Sequence, residues 1–164
     1  RQELTSGTTF VREYKANGIE FEGDYDITDQ FVIRGNATWT DAEIDKDLND
    51  PTVVGNTPRR QADFIYTIIP EYRTDLFTVG VVLQGSTSFY LQDNNDLEQE
   101  AYTLVNLFGN WDITEDLTAY INVNNLTDEF VVTESEEGSG AVGSIIRARP
   151  LSGRSSSIGI TYRF

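Results

Sequence analysis

Cysteine and histidine are both absent from this sequence of 164 residues. Without cysteine, the chain has no disulfide framework, no zinc-thiolate site and no thiol nucleophile. Without histidine, it lacks the commonest general base, a common metal ligand and the Ser-His and Cys-His arrangements of nucleophilic catalysis. We therefore expect no enzyme activity, no metal site and no cofactor site.

Basic residues and long apolar runs are also scarce. Twelve Lys and Arg residues stand against 27 Asp and Glu residues, which gives a formal net charge of −15 and disfavours attraction to nucleic acid or to an anionic membrane surface. A membrane-spanning helix needs about 20 mostly apolar residues, whereas the longest apolar run extends only from Phe77 to Leu83. The sequence therefore predicts neither a nucleic-acid partner nor a membrane-spanning helix.

The residues that are present have the composition of an all-β protein. Aromatic residues make up 12% of the chain and there are 13 glycines, alongside many Thr, Ser and Asn, a mixture typical of strands and turns. Read at a period of two, the sequence divides into about seven strands, each with an apolar and a polar face. Taking every second residue, the apolar positions run from Ile19 to Ile27, Phe31 to Trp39, Phe64 to Tyr72, Phe77 to Phe89, Thr103 to Ile113, Leu117 to Val123 and Ile158 to Phe164.

Strand length and aromatic placement favour a membrane barrel over a soluble sandwich, in which strands also alternate. The predicted strands reach about ten residues, which suits a tilted membrane strand, whereas soluble strands average about five or six. Aromatic residues lie at strand ends with small or aliphatic residues between them, as in the interfacial girdles of membrane barrels. The predicted girdle consists of Tyr25, Phe31, Trp39, Tyr72, Phe77, Phe89 and Trp111.

The connections between these strands alternate between short and long. Three short connections, within 25–31, 72–77 and 111–117, run from an aromatic residue through a Thr-acid turn to an apolar residue, and Thr and Asp side chains readily hydrogen-bond a turn backbone. The long connections, rich in Asp, Asn, Glu, Gly and Pro, lie at about 44–60, 92–100 and 125–156. Short turns on one side and long loops on the other predict a periplasmic and an extracellular end.

Four segments resemble TonB-dependent outer-membrane receptors. Residues 17–22 are similar to the family's Gly-x-Glu-x-Glu strand, and residues 35–42 to the Gly-Asn-x-x-x-Thr-Asp-Ala-like segment that follows it. Residues 123–130 resemble the family's Asn-Leu-Phe-Asp-x-x-Tyr loop entry, and residues 149–154 lead into a closing strand. The resemblance covers nearly the whole chain.

This resemblance implies a fold, a location and a transport function. Residues 1–164 are expected to form the C-terminal segment of an antiparallel, meandering transmembrane β-barrel of about 22 strands, in the outer membrane of a Gram-negative bacterium. Such receptors take up a scarce solute of the siderophore, vitamin or oligosaccharide class. The implied partners are outer-membrane lipid, the remaining barrel strands, a plug domain absent from this segment, TonB acting through that plug, and the barrel-assembly machinery. An open sheet would leave two edges that lipid cannot hydrogen-bond, so we expect other strands to complete it.

The closing strand carries a further motif. Its alternation, together with a terminal Phe, resembles the signal that the barrel-assembly machinery reads. The alternative interpretation is simply the apolar side of a strand, and we predict the signal. The residues concerned are Ile158, Ile160, Tyr162 and Phe164.

Charged segments provide weaker candidates. Residues 45–49 (Asp-Lys-Asp-Leu-Asn) have the spacing of a calcium loop without its sixth-position Gly and twelfth-position Glu, so we predict a solvated acidic loop. Glu134, Glu136 and Glu137, with the glycines between 138 and 143, predict a mobile surface loop. The residues predicted to line a wet lumen are Glu20, Glu22, Asp24, Asp26 and Arg34.

Two other interpretations stay open. A self-contained eight-stranded barrel with a structural or binding role would make Thr8 to Tyr14 a separate strand, joined by a hairpin turn at Asn17-Gly18. A secreted soluble β-domain that binds carbohydrate or protein fits the acidity but explains neither the girdle nor the terminal Phe.

Overall fold

The computed structural model describes residues 2–5, 8–136 and 145–164. Within these ranges the chain forms twelve strands and one 3-10 turn. They are β1 (Gln2–Thr5), β2 (Thr8–Asp26), β3 (Phe31–Asp47), the 3-10 turn (Pro51–Val53), β4 (Phe64–Arg73), β5 (Phe77–Ser86), β6 (Phe89–Tyr90), β7 (Glu98–Gln99), β8 (Tyr102–Thr114), β9 (Leu117–Asn124), β10 (Val132–Ser135), β11 (Ala148–Pro150) and β12 (Ser155–Tyr162). No helix in the described ranges has the length and apolar character needed to cross a membrane.

Eight of the strands form one antiparallel meander in the order β1-β2-β3-β4-β5-β8-β9-β12. The remaining strands form two short ribbons, β6–β7 and β10–β11, inside long connections. The predicted all-β, meandering architecture is confirmed, and all seven predicted strands are present. The additional strand is β1. Among the described residues no pairing joins β12 back to β1 or β2, so the sheet is open.

The eight-stranded alternative requires a hairpin turn at Asn17-Gly18, and this prediction is wrong. Both residues lie inside β2, opposite Asp41 and Thr40 of β3. Glycine is needed here for a close approach of backbones, because a Cβ on Gly18 would lie 2.6 Å from the carbonyl oxygen of Trp39. The Asn-Gly pair therefore sits in a continuous ladder and makes no turn.

The three short connections repeat one turn geometry. The Oγ1 atom of Thr28 accepts the backbone N–H groups two and three residues ahead, at 3.2 and 2.9 Å. Thr74 does the same at 3.2 and 3.0 Å, and Thr114 at 3.3 and 3.1 Å. In each case the hydroxyl satisfies turn N–H groups that have no ladder partner, so the predicted role of threonine in these turns is confirmed.

The long connections are confirmed at the opposite end of the sheet. They comprise residues 48–63, 87–101 and 125–154, which we call the first, second and third long loops. The third is the longest, as predicted. Its predicted mobile part, near Gly138 to Gly143, lies outside the described residues.

Burial is concentrated at the long-loop end of the molecule. Of the six buried apolar residues in the described ranges, Val32 lies near the short-turn end, and the other five are Ile44, Val53, Ala62, Leu91 and Val131. These five belong to the last part of β3 and to the long loops. Among the described residues, no second layer of structure packs on the apolar side of the eight-stranded sheet, so the sheet has little core of its own.

Candidate functional site: an apolar sheet face and a loop cap

The apolar residues of all seven predicted strands share one face of the sheet. In an antiparallel pair, directly opposed residues lie on the same face, and the opposed pairs join the predicted sets from strand to strand. One row across the sheet consists of Gly23, Gly35, Ile68, Leu83 and Val105. The predicted register is thereby confirmed, except at the bulge near the end of β8, where Leu117 lies opposite Thr114 and not Ile113.

In the described part of the chain, no second layer of structure packs on this apolar face. Ile19 and Phe21 are 70% and 71% exposed, and Ile158 and Ile160 are 78% and 72% exposed. Water-soluble monomers rarely expose a contiguous apolar surface of this extent, so the face needs an apolar environment outside the chain.

Aromatic residues cluster at the short-turn end of the apolar face. Phe31 lies opposite Tyr72, and Phe77 lies opposite Trp111, and the rings of Tyr72 and Phe77 have centroids 6.0 Å apart. Tyr25 is the penultimate residue of β2. Five of the predicted girdle residues thus lie at one end of the sheet, while the depth of this end in a membrane stays a prediction.

The opposite end of the apolar face differs from the prediction at one position. Trp39 lies there, opposite Phe64. Phe89 does not, because β5 ends at Ser86 and Phe89 pairs with Gln99 in the β6–β7 ribbon. The residues from Gly85 to Phe89 show no contrast between apolar and polar positions that would mark where β5 stops. The length of β5 was therefore overestimated.

The four residues of the predicted assembly signal lie on β12 and just beyond it. Ile158, Ile160 and Tyr162 face Ile121, Ala119 and Leu117 of β9 on the apolar face. The rings of Tyr162 and Phe164 meet edge to face at 5.4 Å. This arrangement fits an apolar strand edge, and recognition by the assembly machinery stays a prediction.

The polar face carries a buried acid that the sequence interpretation missed. Glu71 is 8% exposed and forms ion pairs with Arg34, at 3.3 Å, and with Arg73. Two arginines around one buried carboxylate satisfy its charge. Glu71 was overlooked because it stands between Pro70 and Tyr72 in an otherwise apolar segment. The acids Glu20, Glu22, Asp24 and Asp26 are exposed on the same face, as predicted.

The predicted solvated acidic loop is in fact largely strand. Residues 41–47 belong to β3, and Asp47 is 4% exposed. Burial alone would raise the pKa of Asp47, but the backbone N–H groups of Asn49 and Asp50 and the guanidinium of Arg12 outweigh it and hold the pKa below its ordinary value. Among the described residues no group of three or more acids is placed to hold a metal ion.

The long loops fold together into one unit, the loop cap, in which Asp93 of the second loop is central. Its carboxylate, 3% exposed, accepts the backbone N–H of Arg59 at 2.8 Å and forms an ion pair with Arg12. Arg12 also binds Asp47, with 2.6 Å between Nε and Oδ2. Asp93 therefore links the second loop, the first loop and β2.

The third long loop joins the same cap. The Gln92 side-chain amide donates to the carbonyl oxygen of Glu136 at 2.8 Å, and the Gln99 side chain accepts the N–H of Val132 at 2.8 Å. Arg60 of the first loop forms an ion pair with Glu134 at 2.9 Å. The cap residues were not predictable as a group, because the loops show no periodicity.

Comparison with known proteins identifies the family. Residues 4–126 match the model of the β-barrel of TonB-dependent receptor-like proteins. The chain therefore belongs to the TonB-dependent receptor β-barrel family. Members of this family are transporters of the Gram-negative outer membrane and are not enzymes.

Solved structures with the same fold include three iron-related receptors. The siderophore receptor PiuA from Acinetobacter baumannii is 22% identical with a TM-score of 0.76, over 93% of this chain and 22% of that protein. The ferric yersiniabactin uptake receptor FyuA from Yersinia pestis is 18% identical with a TM-score of 0.74, over 91% and 23%. The ferric-catecholate import receptor Fiu from E. coli K12 is 19% identical with a TM-score of 0.74, over 99% and 23%. The chain thus spans less than a quarter of the length of each of these receptors.

Proposed function

We propose that this chain is part of the barrel wall of a receptor that takes up an iron chelate of the siderophore class across the outer membrane. The proposal rests on two features of the sheet taken together. One face is apolar from strand to strand, and the three long loops at one end are joined to each other by hydrogen bonds and ion pairs. Such a wall spans lipid and presents a built surface on a single side of the membrane. The names of the similar receptors support the choice of solute class over vitamins or oligosaccharides.

The proposed receptor contains further barrel strands and a plug domain. Backbone groups on its two edges need partners in lipid, so we propose that further strands of the same barrel pair with them. A plug domain in the lumen, and TonB acting on that plug, complete the transport mechanism. In this arrangement the aromatic residues lie at the membrane interfaces, and residues 158–164 carry the assembly signal.

Uptake of iron chelates in the source bacterium tests this function. Deleting the gene for the full-length receptor should abolish uptake of at least one radiolabelled ferric chelate from a panel of catecholates, hydroxamates and carboxylates. Plasmid-borne receptor should restore it, and loss of TonB or of the proton-motive force should prevent that rescue. Uptake that is unchanged across the panel, or that persists without energy, would contradict the proposal, the latter indicating a passive pore.

A further inference from the structure

The loop cap lies over the polar face of the sheet. β2 alternates without interruption from Glu20 to Arg12, because the irregularity of the β2–β3 ladder is an extra residue in β3. Arg12 and its partner Asp47 therefore lie on the polar face, as does the fully buried Ile44. Asp93 forms an ion pair with Arg12, so the second long loop contacts β2 on the polar-face side of the sheet.

The first and second loops are joined by backbone N–H donors and by side-chain contacts, which include Asn56 donating to the carbonyl oxygen of Asp93 at 2.9 Å and an ion pair of Arg59 with Asp93 at 3.7 Å. The N–H of Thr57 donates to Asn95 Oδ1 at 3.0 Å, and the N–H of Arg60 donates to the carbonyl oxygen of Tyr90 at 2.7 Å. Asn95 also donates its side-chain amide to the carbonyl oxygen of Thr57 at 2.8 Å, and Asn95 has a positive φ of 60°. The side-chain amide of Asn95 thus binds both the N–H and the carbonyl oxygen of Thr57, as the backbone of a neighbouring strand would.

The contribution of Asp93 differs from these neutral bonds because it carries charge. Its carboxylate is buried between Arg12 and the first loop, where ion pairs are poorly screened, and bonds between ionised groups are stronger than neutral ones. The neutral pairs can hold the two loops to one another. Among the contacts described, Asp93 ties the second loop to β2 through Arg12, the residue that Asp47 joins to the start of the first loop.

We propose that Asp93 is a positioning residue that fixes the first and second long loops as a single closed cap over the barrel mouth. An incoming solute then meets a preformed entrance, whose geometry is set by Asp93 and Arg12. The role of this entrance in uptake rests on the proposed function. The ion pair between Asp93 and Arg12, which we call the latch, can be tested without any transported solute.

Hydrogen exchange in the full-length receptor, reconstituted in lipid nanodiscs, tests the latch. Asp93→Asn should accelerate exchange in peptides containing residues 57–60 and 88–97 by about tenfold or more, because the cap opens locally when a buried ion pair loses its charge. Peptides from the short turn at 27–30 should exchange as in the parent protein. An unchanged rate at 57–60 and 88–97 would overturn the proposal.

Two variants separate the latch from general damage to the loop. Asp96→Asn removes an exposed acid of the same loop, whose side chain binds only its neighbour Asn94 among the contacts described, and should leave exchange unchanged. Asp93→Glu keeps the charge and should restore at least part of the protection. If Asp96→Asn accelerated exchange as much as Asp93→Asn, or if Asp93→Glu gave no rescue, the specific role of Asp93 would be refuted.

Uptake kinetics distinguish positioning from a merely structural role. With a ferric chelate that the receptor transports, Asp93→Asn should raise the half-saturation concentration severalfold and leave the maximal rate unchanged, because a preformed entrance is lost. A fall in maximal rate alone would contradict positioning. If no chelate is transported, the proposed function fails, but the exchange experiment still decides whether Asp93 closes the cap.

Discussion

The sheet and the loop cap solve the problem of burial in opposite ways. In the sheet, apolar side chains such as Ile19 and Ile158 are 70% and 78% exposed, whereas Ile44 and Val131 at the cap are fully buried. In the proposed receptor, lipid surrounds the apolar face of the sheet, so its strands need only alternate. The cap of that receptor lies in water and has to build a core from its own residues.

The two regions also satisfy their backbones differently. In the sheet, ladder pairing joins the N–H and C=O groups of neighbouring strands and leaves those along the two open edges, and a structure within a bilayer requires such pairing throughout. In the cap, side chains replace the ladder: Asp93 binds the N–H of Arg59, and Asn95 binds both backbone groups of Thr57. Regular pairing therefore makes the sheet tolerant of side-chain changes that leave its faces intact, while the cap depends on individual polar residues.

The largest expected effect tests the two faces of the sheet with adjacent valines. Val81 lies on the apolar face, opposite Leu107, and Val82 lies on the polar face, opposite Asn106. Val81→Arg should destabilise the assembled receptor by about 2–4 kcal/mol, because a cation at the bilayer midplane is poorly solvated. Val82→Arg introduces the same side chain one residue away and should cost far less.

The measurement is the free energy of unfolding of the full-length receptor in defined bilayers, with heat-modifiable mobility reporting the folded fraction. A third variant, Phe77→Arg near the short-turn end, compared with Phe77→Ala to account for the lost ring, should fall between the two valine variants. Equal costs for Val81→Arg and Val82→Arg would refute the assignment of the apolar face to lipid.

The sheet was predictable from sequence because one physical rule governs it throughout. Alternation with a period of two fixes which residues share a face, and the Thr-acid turns mark where one strand gives way to the next. The rule failed at Phe89, because the residues just before it are all polar and give no alternation of apolar and polar positions. It also gave no reason to expect a buried acid at Glu71, whose partners lie on β3 and at the end of β4.

The cap was not predictable because its contacts join residues far apart in the sequence without any repeating pattern. Asp93 meets Arg12 across 81 positions and Arg59 across 34. Its segment, Gln92-Asp93-Asn94-Asn95-Asp96, has the composition of a solvated turn. Only the fold shows that two of its residues, Gln92 and Asp93, are buried, and the burial of Asp47 was missed for the same reason.

A second prediction concerns backbone packing within β2, the strand that runs from the sheet to the cap. Gly18→Ala should destabilise the receptor by about 1–3 kcal/mol, since the added Cβ would lie 2.6 Å from the carbonyl oxygen of Trp39. At Gly23 the nearest atom is a ring carbon of Phe21 at 3.8 Å, so Gly23→Ala should be close to neutral. Thermal unfolding of both variants in the same detergent provides the comparison, and a larger shift for Gly23→Ala would show that the close approach at Gly18 is not retained.

Acid should affect the cap before it affects the sheet. The folded-state pKa of Asp47 lies below its ordinary value, so this carboxylate stabilises the cap above the unfolded-state pKa of about 4. The stabilisation is lost as the pH falls through the folded-state pKa. The apolar face of the sheet has no charged side chain among the predicted sets and should not respond.

Hydrogen exchange at decreasing pH, corrected for the intrinsic dependence of exchange on pH, measures this effect. Protection in residues 44–60 should fall below about pH 4 while protection within β4 and β5 persists. Asp47→Asn should weaken the pH dependence, and Asp41→Asn, an exposed acid of the same strand, should leave it unchanged. Simultaneous loss of protection in cap and sheet would mean that the two regions do not unfold separately.

The smallest expected effect concerns the short turns, which face water like the cap but repeat like the sheet. Thr74→Val removes the hydroxyl that accepts the N–H groups of Leu76 and Phe77 and keeps a β-branched side chain of similar size. Because the turn is exposed, water replaces part of the lost bonding, so the cost should be about 0.5–1 kcal/mol. Thr74→Ser retains the hydroxyl and should cost less than Thr74→Val.

Equilibrium unfolding in bilayers measures both variants, and the equivalent pairs at Thr28 and Thr114 should repeat the difference if the three turns share one physical origin. A cost for Thr74→Ser as large as that for Thr74→Val would assign the effect to the methyl group and its packing, and would separate the turns from the hydrogen-bonding rule that makes them recognisable in the sequence.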